Sequence, residues 1–468
     1  MDVISIILSL FLLMFFAYRG FSVILLAPIF ALLAGVLSGL PAMPAYTELF
    51  MGKAVTYIKS FFPIFLLGAV FGKVMEETGL AKSIAKWLIM GLGADRAILS
   101  IVLAASILTY GGVSLFVVVF AIYPFASALF REGNLPKRLI PAAVALGAFA
   151  PTMDAIPGTP QIQNLIPTNF FGTNAYAAPI AGLFGATVIY VAGIMYLNRQ
   201  MKSAVAKGEG YGNHTLNEVT LDDDDATSVP WYMAMIPLVA VLAVNFAITE
   251  FVVWNPEILE QFKAGGKLPL VAGAIKNVAS IWSLIIALVV GIVLALLIGR
   301  RALNTMPKFT KAINAGAIGS LLAIMNTASE VGYGNVIASL PGFAHISSAL
   351  LSIQIGGTPL MSEAVSVTTL AGITGSASGG LSIALDLMAA EWLAWGNQLG
   401  MTPEILHRVA SMASGGMDTL PHNGAVITLL AVCGLTHKDS YKDIFVITLI
   451  KTGTVFLVIL LYSLTGLY

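Results

Sequence analysis

The chain is poor in charge. Only 10% of its 468 residues are Asp, Glu, Lys or Arg, against about 25% in soluble proteins, while 58% are hydrophobic and the mean hydropathy is +0.89. There is no excess of either sign, since 24 basic residues balance 24 acidic ones. That balance points neither to nucleic acid nor to an acidic disordered tail. A single cysteine, Cys433, excludes an intrachain disulfide, and its apolar setting in "ITLLAVCGL" reads as a small buried hydrophobe. No His/Cys cluster suggests a metal. No phosphate loop ending in Gly-Lys-Ser/Thr is present, so the chain acting alone is not an ATP-driven pump, and no cofactor is expected. The N-terminus lacks a basic region and a cleavage site, so the first two apolar runs read as retained spans, and no lipidation motif appears.

What is present is membrane-spanning sequence. A helix needs about 20 apolar residues to cross a bilayer, and such runs recur near 2–18, 21–40, 58–75, 97–109 with 114–130, 177–197, 231–253, 278–299, 310–325, 335–353 and 444–467. Shorter pieces near 137–150, 363–373, 381–397, 404–413 and 424–435 are interrupted by Gly, Pro and Ser, the pattern of half-helices and re-entrant hairpins. The expected fold is an all-α polytopic membrane protein with about 10–14 segments. One long polar stretch, 198–229, separates an N-terminal half (1–197) from a C-terminal half (230–468). Its Arg199, Lys202 and Lys207 lie close against the preceding span, and Arg300, Arg301, Lys308 and Lys311 follow two spans later, so both loops are assigned to the cytoplasm. Asp222–Asp225 read as a solvated linker face.

Two broken segments repeat. "FAPTMDAIPGTPQ" (149–161) and "SGGMDTLPHNGAV" (414–426) share Met-Asp-x-x-Pro, with Asp154 and Asp418 lying 264 positions apart. "GGVSLF" (111–116) faces "GGLSIA" (379–384) at an offset of 268, and "FGKVM" (71–75) faces "YGNVI" (333–337) at 262. These matches predict two repeats beginning near 22 and near 280. Polar, helix-broken backbone is tolerated at membrane depth only where protein buries it or a wet cavity receives it. Breaks in corresponding positions mark the binding site of a secondary transporter, where half-helix N-termini face an anion. The two segments are therefore read as lips of one substrate pocket.

Asp154 and Asp418 lead the candidates for substrate or proton handling, because intramembrane carboxylates are costly. Capping of the following half-helix is the compatible alternative. His422 suits proton coupling, or donates as a neutral ring to a backbone carbonyl. Thr374, Ser376, Ser378 and Ser382 offer hydroxyls and open amides to a carboxylate, or let helices approach closely. Ser114, with Gly111 and Gly112, is their first-half counterpart. Thr159, Gln161, Gln163, Asn164 and Asn423 are placed to bind a substrate hydroxyl, with a solvated face as the alternative for those following Asp154. Glu330 carries the coupled proton or is paired structurally. Asp386 is a weaker candidate, Glu363 reads as an N-terminal charge, and Glu391 with its tryptophans, like His345, His407 and His437, reads as interfacial or loop.

These segments resemble the gluconate permease family of the ion transporter superfamily. "GITGSASGGLSIA" (372–384) looks like that family's Gly-Ser-Ala-Thr segment, and "DAIPGTPQI" (154–162) is similar to its Pro-His-Pro-Gly-Pro segment, with Ile156 in place of His. "MNTASEVGYGN", with Asn326, Thr327, Ser329 and Glu330, resembles the opening of the second-half hairpin. "DTLPHNGAVITLLAVCGLTHKDSYKDI" (418–444) resembles the D-3-hydroxybutyrate permease subgroup. The resemblance implies a bacterial inner-membrane symporter that imports small organic monocarboxylates with protons. It also implies inverted repeats, an elevator motion and a homodimer, with lipid and substrate as the other partners. Ile156 disfavours gluconate, since a polyol acid wants more hydrogen-bonding partners. Sodium-coupled carboxylate symport stays open, because unwound carbonyls beside glycine breaks suit Na⁺. Duplicated breaks argue against a channel, and the lack of Gly-x-Gly-Asp argues against an intramembrane aspartyl protease.

Overall fold

The computed structural model describes residues 2–468 apart from 20, 114, 219–228, 265–271, 273, 354 and 422, so Ser114, His422 and Asp222–Asp225 lie outside the described residues. Every regular element among the described residues is helical. Two helices, α1 (Asp2–Tyr18) and α2 (Val23–Leu37), open the chain. The first repeat follows as α3 (Met51–Glu77), α4 (Leu80–Leu92), α5 (Ala97–Tyr110), α6 (Leu115–Glu132), α7 (Leu139–Ala148), α8 (Ile162–Phe171) and α9 (Pro179–Ala206). After α10 (Trp231–Phe251) and α11 (Lys276–Ile298), the same series returns. It comprises α12 (Met306–Ala338), α13 (Pro341–Leu351), α14 (Leu360–Thr374), α15 (Ala377–Gln398), α16 (Pro403–Ser414), α17 (Gly424–Val432) and α18 (His437–Thr465). The half-helices before the break have 10 and 12 residues, those after it 10 and 9, and the closing helices 28 and 29.

Among the described residues six helices are long and apolar enough to cross a membrane, at 42–77, 179–206, 231–251, 278–298, 306–338 and 437–465. The pair α4 and α5, bent by 102°, makes a seventh if counted as one span. Shorter apolar helices of 10–17 residues lie at 3–13, 23–37, 139–154 and 360–374.

The segments 310–325 and 335–353 do not form two spans as expected. Helix α12 runs unbroken for 33 residues, so "MNTASEVGYGN" sits inside a continuous helix and not at the opening of a hairpin. Its glycines are contact points: a Cβ on Gly332 would lie 2.8 Å from the Phe50 carbonyl oxygen, and one on Gly334 would lie 2.7 Å from Ile383. Helix α3 crosses the same helix lower down, where a Cβ on Gly316 would reach 2.7 Å from the Val70 backbone.

The repeats are inverted. Linker residues 209–218 lie on the α6–α7 turn, where Tyr211 N–H donates to Asn134 at 3.0 Å and Glu218 receives Arg131 and Lys137. At this same end Arg138 pairs with Asp443 near the start of α18 (2.6 Å), and Asn217 donates to the Ala431 carbonyl at the end of α17 (2.8 Å). At the other end, residues 172–174 and 176–179 at the approach to α9, Thr402 and Glu404 at the start of α16, and Tyr468 line one open cavity of about 630 Å³. Thus α7 starts at the linker end and its counterpart α16 at the opposite end.

Each hairpin turns on a left-handed glycine, Gly112 (φ 92°) between α5 and α6 and Gly375 (φ 65°) between α14 and α15. Each is followed by a residue whose N–H reaches back five positions, Val113 to Leu108 (3.0 Å) and Ser376 to Ala371 (3.3 Å). These glycines are 263 positions apart, close to the spacing of Asp154 and Asp418, so the pairing of "GGVSLF" with "GGLSIA" at 268 is out of register.

Burial alone would raise the Glu218 carboxyl, but hydrogen bonds from Lys137 and Tyr211 and the neighbouring positive charges outweigh it and hold the group below its ordinary value. A depressed acid stabilises the fold above its ordinary range and loses that contribution as pH falls through the folded value. Limited proteolysis of the linker in wild type should therefore rise only on acidification, whereas Glu218→Gln should be cut faster at neutral pH. Within the second hairpin, a Cβ on Gly380 would overlap the Ala371 backbone, while one on Gly453 of α18 meets nothing within 4 Å. Thermal unfolding in detergent should show Gly380→Ala destabilised by about 1–3 kcal/mol and Gly453→Ala within about 1 kcal/mol of wild type.

Candidate functional site

Helix α7 stops at Ala148 and α16 at Ser414, each leaving its last carbonyls without helical partners at membrane depth. Both breaks converge on Lys451 of α18, which is 2% exposed. Its Nζ donates to the Phe149 carbonyl and lies 3.4 Å from Asp418 and 3.8 Å from Asp154. One ammonium thus joins the carboxylates of both repeats. Gly415 permits the approach: a Cβ there would run into the Asp154 carboxylate and stand 3.0 Å from Lys451 Nζ. Neither aspartate caps the following half-helix. Asn423 caps α17, its Oδ1 accepting from Ala425 N–H (2.7 Å) and Val426 N–H (3.1 Å), and α8 begins after Gln161 with no side-chain cap. Sequence reasoning missed Lys451, although a lone lysine inside "VITLIKTGTVFLV" was the available signal.

The first break is held by the second repeat. Arg408 of α16 is fully buried and donates to the Ala177 carbonyl (2.7 Å), the Asp154 carbonyl (3.0 Å) and Asn164 Oδ1 (3.0 Å). Beside it His407, expected in a loop or interface, is also fully buried; its ring nitrogens contact Thr173 Oγ1 (2.6 Å) and Asn164 Oδ1 (3.2 Å). The amide of Asn164 donates to the Thr159 (3.0 Å) and Ala175 (2.8 Å) carbonyls, and the Thr159 hydroxyl to the Thr152 carbonyl (2.5 Å). Thr159 and Asn164 therefore satisfy irregular backbone in place of a solvated face, while Gln163 Oε1 has no partner.

Each break also touches the tip of its own hairpin. Gln161 donates to the Thr109 carbonyl and Tyr110 to the Pro157 carbonyl, both at 2.8 Å. In the second repeat Asn423 donates to the Gly375 carbonyl, again at 2.8 Å. At that tip Ser376 accepts from Gly379 N–H at 3.1 Å, Ser378 meets Thr327 at 3.2 Å, and Thr374 donates to the Leu370 carbonyl at 2.9 Å. Glu330 of α12 faces the same tip, 3% exposed, with Oε2 unpartnered.

Other candidates fall outside this arrangement. Asp386 pairs with Lys53 at 2.7 Å, and Glu363 is fully buried with both oxygens unpartnered. Glu391 is exposed, but its neighbour Trp392 is fully buried and donates to Ser362, so this stretch is not wholly interfacial. His437 contacts the Pro421 carbonyl at 2.9 Å, His345 is exposed, and Cys433 is fully buried. Among the described residues no three His, Cys, Asp or Glu side chains gather to hold a metal.

Two inverted repeats whose broken helices and hairpin tips meet in the interior of a polytopic helical protein define a membrane transporter. Residues 1–465 match the family described as GntP family permease, and the chain belongs to it. It is 52% identical over the full length of both chains to an uncharacterized transporter, YxjC, of Bacillus subtilis (strain 168). An uncharacterized transporter of Haemophilus influenzae shares 39% identity over 85 residues, 18% of this chain and 20% of that one. Two solved transporters share the fold at low identity. The Alcanivorax borkumensis YdaH transporter has a TM-score of 0.56 at 15% identity, covering 89% of this chain and 88% of that one. Neisseria gonorrhoeae MtrF, described within a class of antimetabolite efflux pumps, has 0.55 at 13%, covering 94% of each.

Removing one member of a buried ion cluster strands the others, at about 3–5 kcal/mol. Lys451→Met should lower the unfolding temperature in detergent more than Asp418→Asn does. The Lys451→Met/Asp418→Asn double variant should recover part of that loss, giving a non-zero coupling in the double-mutant cycle.

Proposed function

We infer that this permease is a secondary active symporter that imports a small organic monocarboxylate, 3-hydroxybutyrate or a similar hydroxy acid, together with protons. Its place would be the bacterial inner membrane, with the linker 198–229 on the cytoplasmic side joining halves 1–197 and 230–468. The observation that carries the reading is the convergence of both broken segments on Lys451, with Gln161 and Asn423 tying each break to its own hairpin tip. A site assembled from both inverted repeats suits alternating access, and the paired hairpins suit an elevator motion, the substrate lying between tips and breaks. Ser376, Ser378, Asn423 and the N-terminus of α15 offer a carboxylate its partners. Buried carboxyls at Asp154, Asp418 and Glu330 offer places for a proton. The resemblance of 418–444 to hydroxybutyrate permeases, and Ile156, favour a short acid over gluconate. Clustering of Arg131, Lys137, Arg138, Arg199, Lys202, Lys207, Arg300 and Arg301 toward the linker side supports the orientation.

Labelled uptake in proteoliposomes tests this across 3-hydroxybutyrate, lactate, gluconate, citrate and succinate. An inward proton gradient should drive accumulation of a short hydroxy acid whether or not sodium is present. Asp418→Asn and Ser378→Ala should each cut accumulation at least about tenfold, the size of one lost 1.4 kcal/mol interaction, without lowering membrane expression. Accumulation that follows sodium and ignores protons would replace the coupling ion, and fast non-saturable flux would replace the carrier with a channel.

A further inference from the structure

The N-terminus of α15 is built to receive an anion, yet a carboxyl of the protein already stands there. Helix α15 has 22 residues, so its first turn presents open N–H groups and the positive end of a full macrodipole. Ser376 accepts one of those N–H groups, from Gly379, and Ser376 and Ser378 lie 3.5 Å apart at the same turn. Glu330 reaches this turn from α12. It lies so close that a Cβ on Gly379 would overlap Oε2, and that oxygen is buried without a hydrogen-bond partner. Among the described residues no basic side chain forms an ion pair with it. The Ser376 hydroxyl meets this carboxyl but, among the described residues, no cation does. An ionised carboxylate without a counter-charge costs several kcal/mol in such a place, and two carboxylates at one helix terminus repel each other.

The surroundings leave Glu330 as the group that titrates at this spot. Of the helices packed on α12, α2 has no ionisable side chain, and α3 faces Glu330 with Tyr57. Lys53 of α3 is paired with Asp386 of α15, and Lys73 with Glu76 and Glu77. Lys59, Tyr46 and Glu48 near α3, Glu391 of α15 and His345 of α13 are exposed.

We propose that Glu330 and the substrate carboxylate compete for the N-terminus of α15, so that the anion binds only when Glu330 carries a proton. The proposal rests on the carboxylate-symport reading and locates its coupling at this hairpin, apart from the Lys451 cluster. The proton sits on Glu330 Oε2 while the substrate anion takes the N–H groups and the Ser376 and Ser378 hydroxyls. When the anion leaves, the ionised Glu330 takes back the helix terminus and the proton goes to water. No bond is made or broken apart from that O–H.

The test uses purified full-length protein with D-3-hydroxybutyrate as probe and gluconate as a second acid. Wild-type affinity should fall about tenfold per pH unit above the titration of Glu330, as one co-bound proton requires, and adding substrate in weak buffer should take up one proton per site. Glu330→Gln should flatten the affinity to within about twofold over the same pH range and abolish the proton uptake. Ser378→Ala should weaken binding while leaving proton uptake in place. A pH-independent wild-type affinity, or full proton uptake and gradient-driven accumulation in Glu330→Gln, overturns the proposal and leaves the carrier reading standing. Should Glu330→Gln fail to fold, Glu330→Asp replaces it and should shift the pH at which affinity falls, whereas a profile identical to wild type overturns the proposal. If wild type binds and transports neither these acids nor lactate, citrate or succinate, the carboxylate reading itself falls and the proposal with it.

Discussion

Lys451 between Asp154 and Asp418 is the contact on which the rest of the interior depends. A membrane protein that interrupts four half-helices at mid-depth must answer every freed backbone group from within. Here a single ammonium takes a helix-end carbonyl and both carboxylates, one from each repeat. Arg408 and His407 complete the work by threading side chains of the second repeat into the irregular backbone of the first. The two repeats are thus locked by polar contacts at their breaks.

The duplication is visible in detail once the elements are compared in order. Half-helices of similar length, 10 and 12 residues before the break and 10 and 9 after it, recur together with left-handed glycines at both hairpin tips, 263 positions apart, and one amide from each break to its own tip. The departures are as instructive as the matches. Among the described residues the cations buried at the breaks come from the second repeat, where α16 supplies Arg408 and α18 supplies Lys451, while the buried cation of the first repeat, Lys137, is spent on Glu218 of the linker. An ancestral symmetry in the backbone has become a division of labour in charge.

Much of this was legible in the residues. Apolar runs located α1, α2, α10 and α11 to within about three positions, because hydropathy over about 20 residues is what a bilayer demands, while α9 runs nine residues beyond its apolar run and α18 begins seven residues before its own. Gly, Pro and Ser interruptions located α7, α14, α15, α16 and α17, the half-helix α8 went unread, and the Met-Asp-x-x-Pro match found both segments of the interior cluster. The single helix α12 was misread as two, because Gly332 and Gly334 look like breakers in a sequence and are contact points in the fold. His407 and Arg408 sit in a short amphipathic-looking stretch whose polar face meets protein and not water. Lys451 escaped because a lysine within an apolar run gives no hint of its partners, which lie 33 and 297 positions earlier.

The formal charges of the interior have an electrical meaning. Asp154, Asp418, Lys451 and Arg408 sum to zero, all within one buried assembly. Across a membrane at 100 mV, each unbalanced charge displaced through the full field is worth about 2.3 kcal/mol. A balanced assembly does no such work when it is displaced. These four residues then add nothing to a gating current, and any voltage dependence of turnover reports the other charges that cross the field, Glu330 among them when it is ionised.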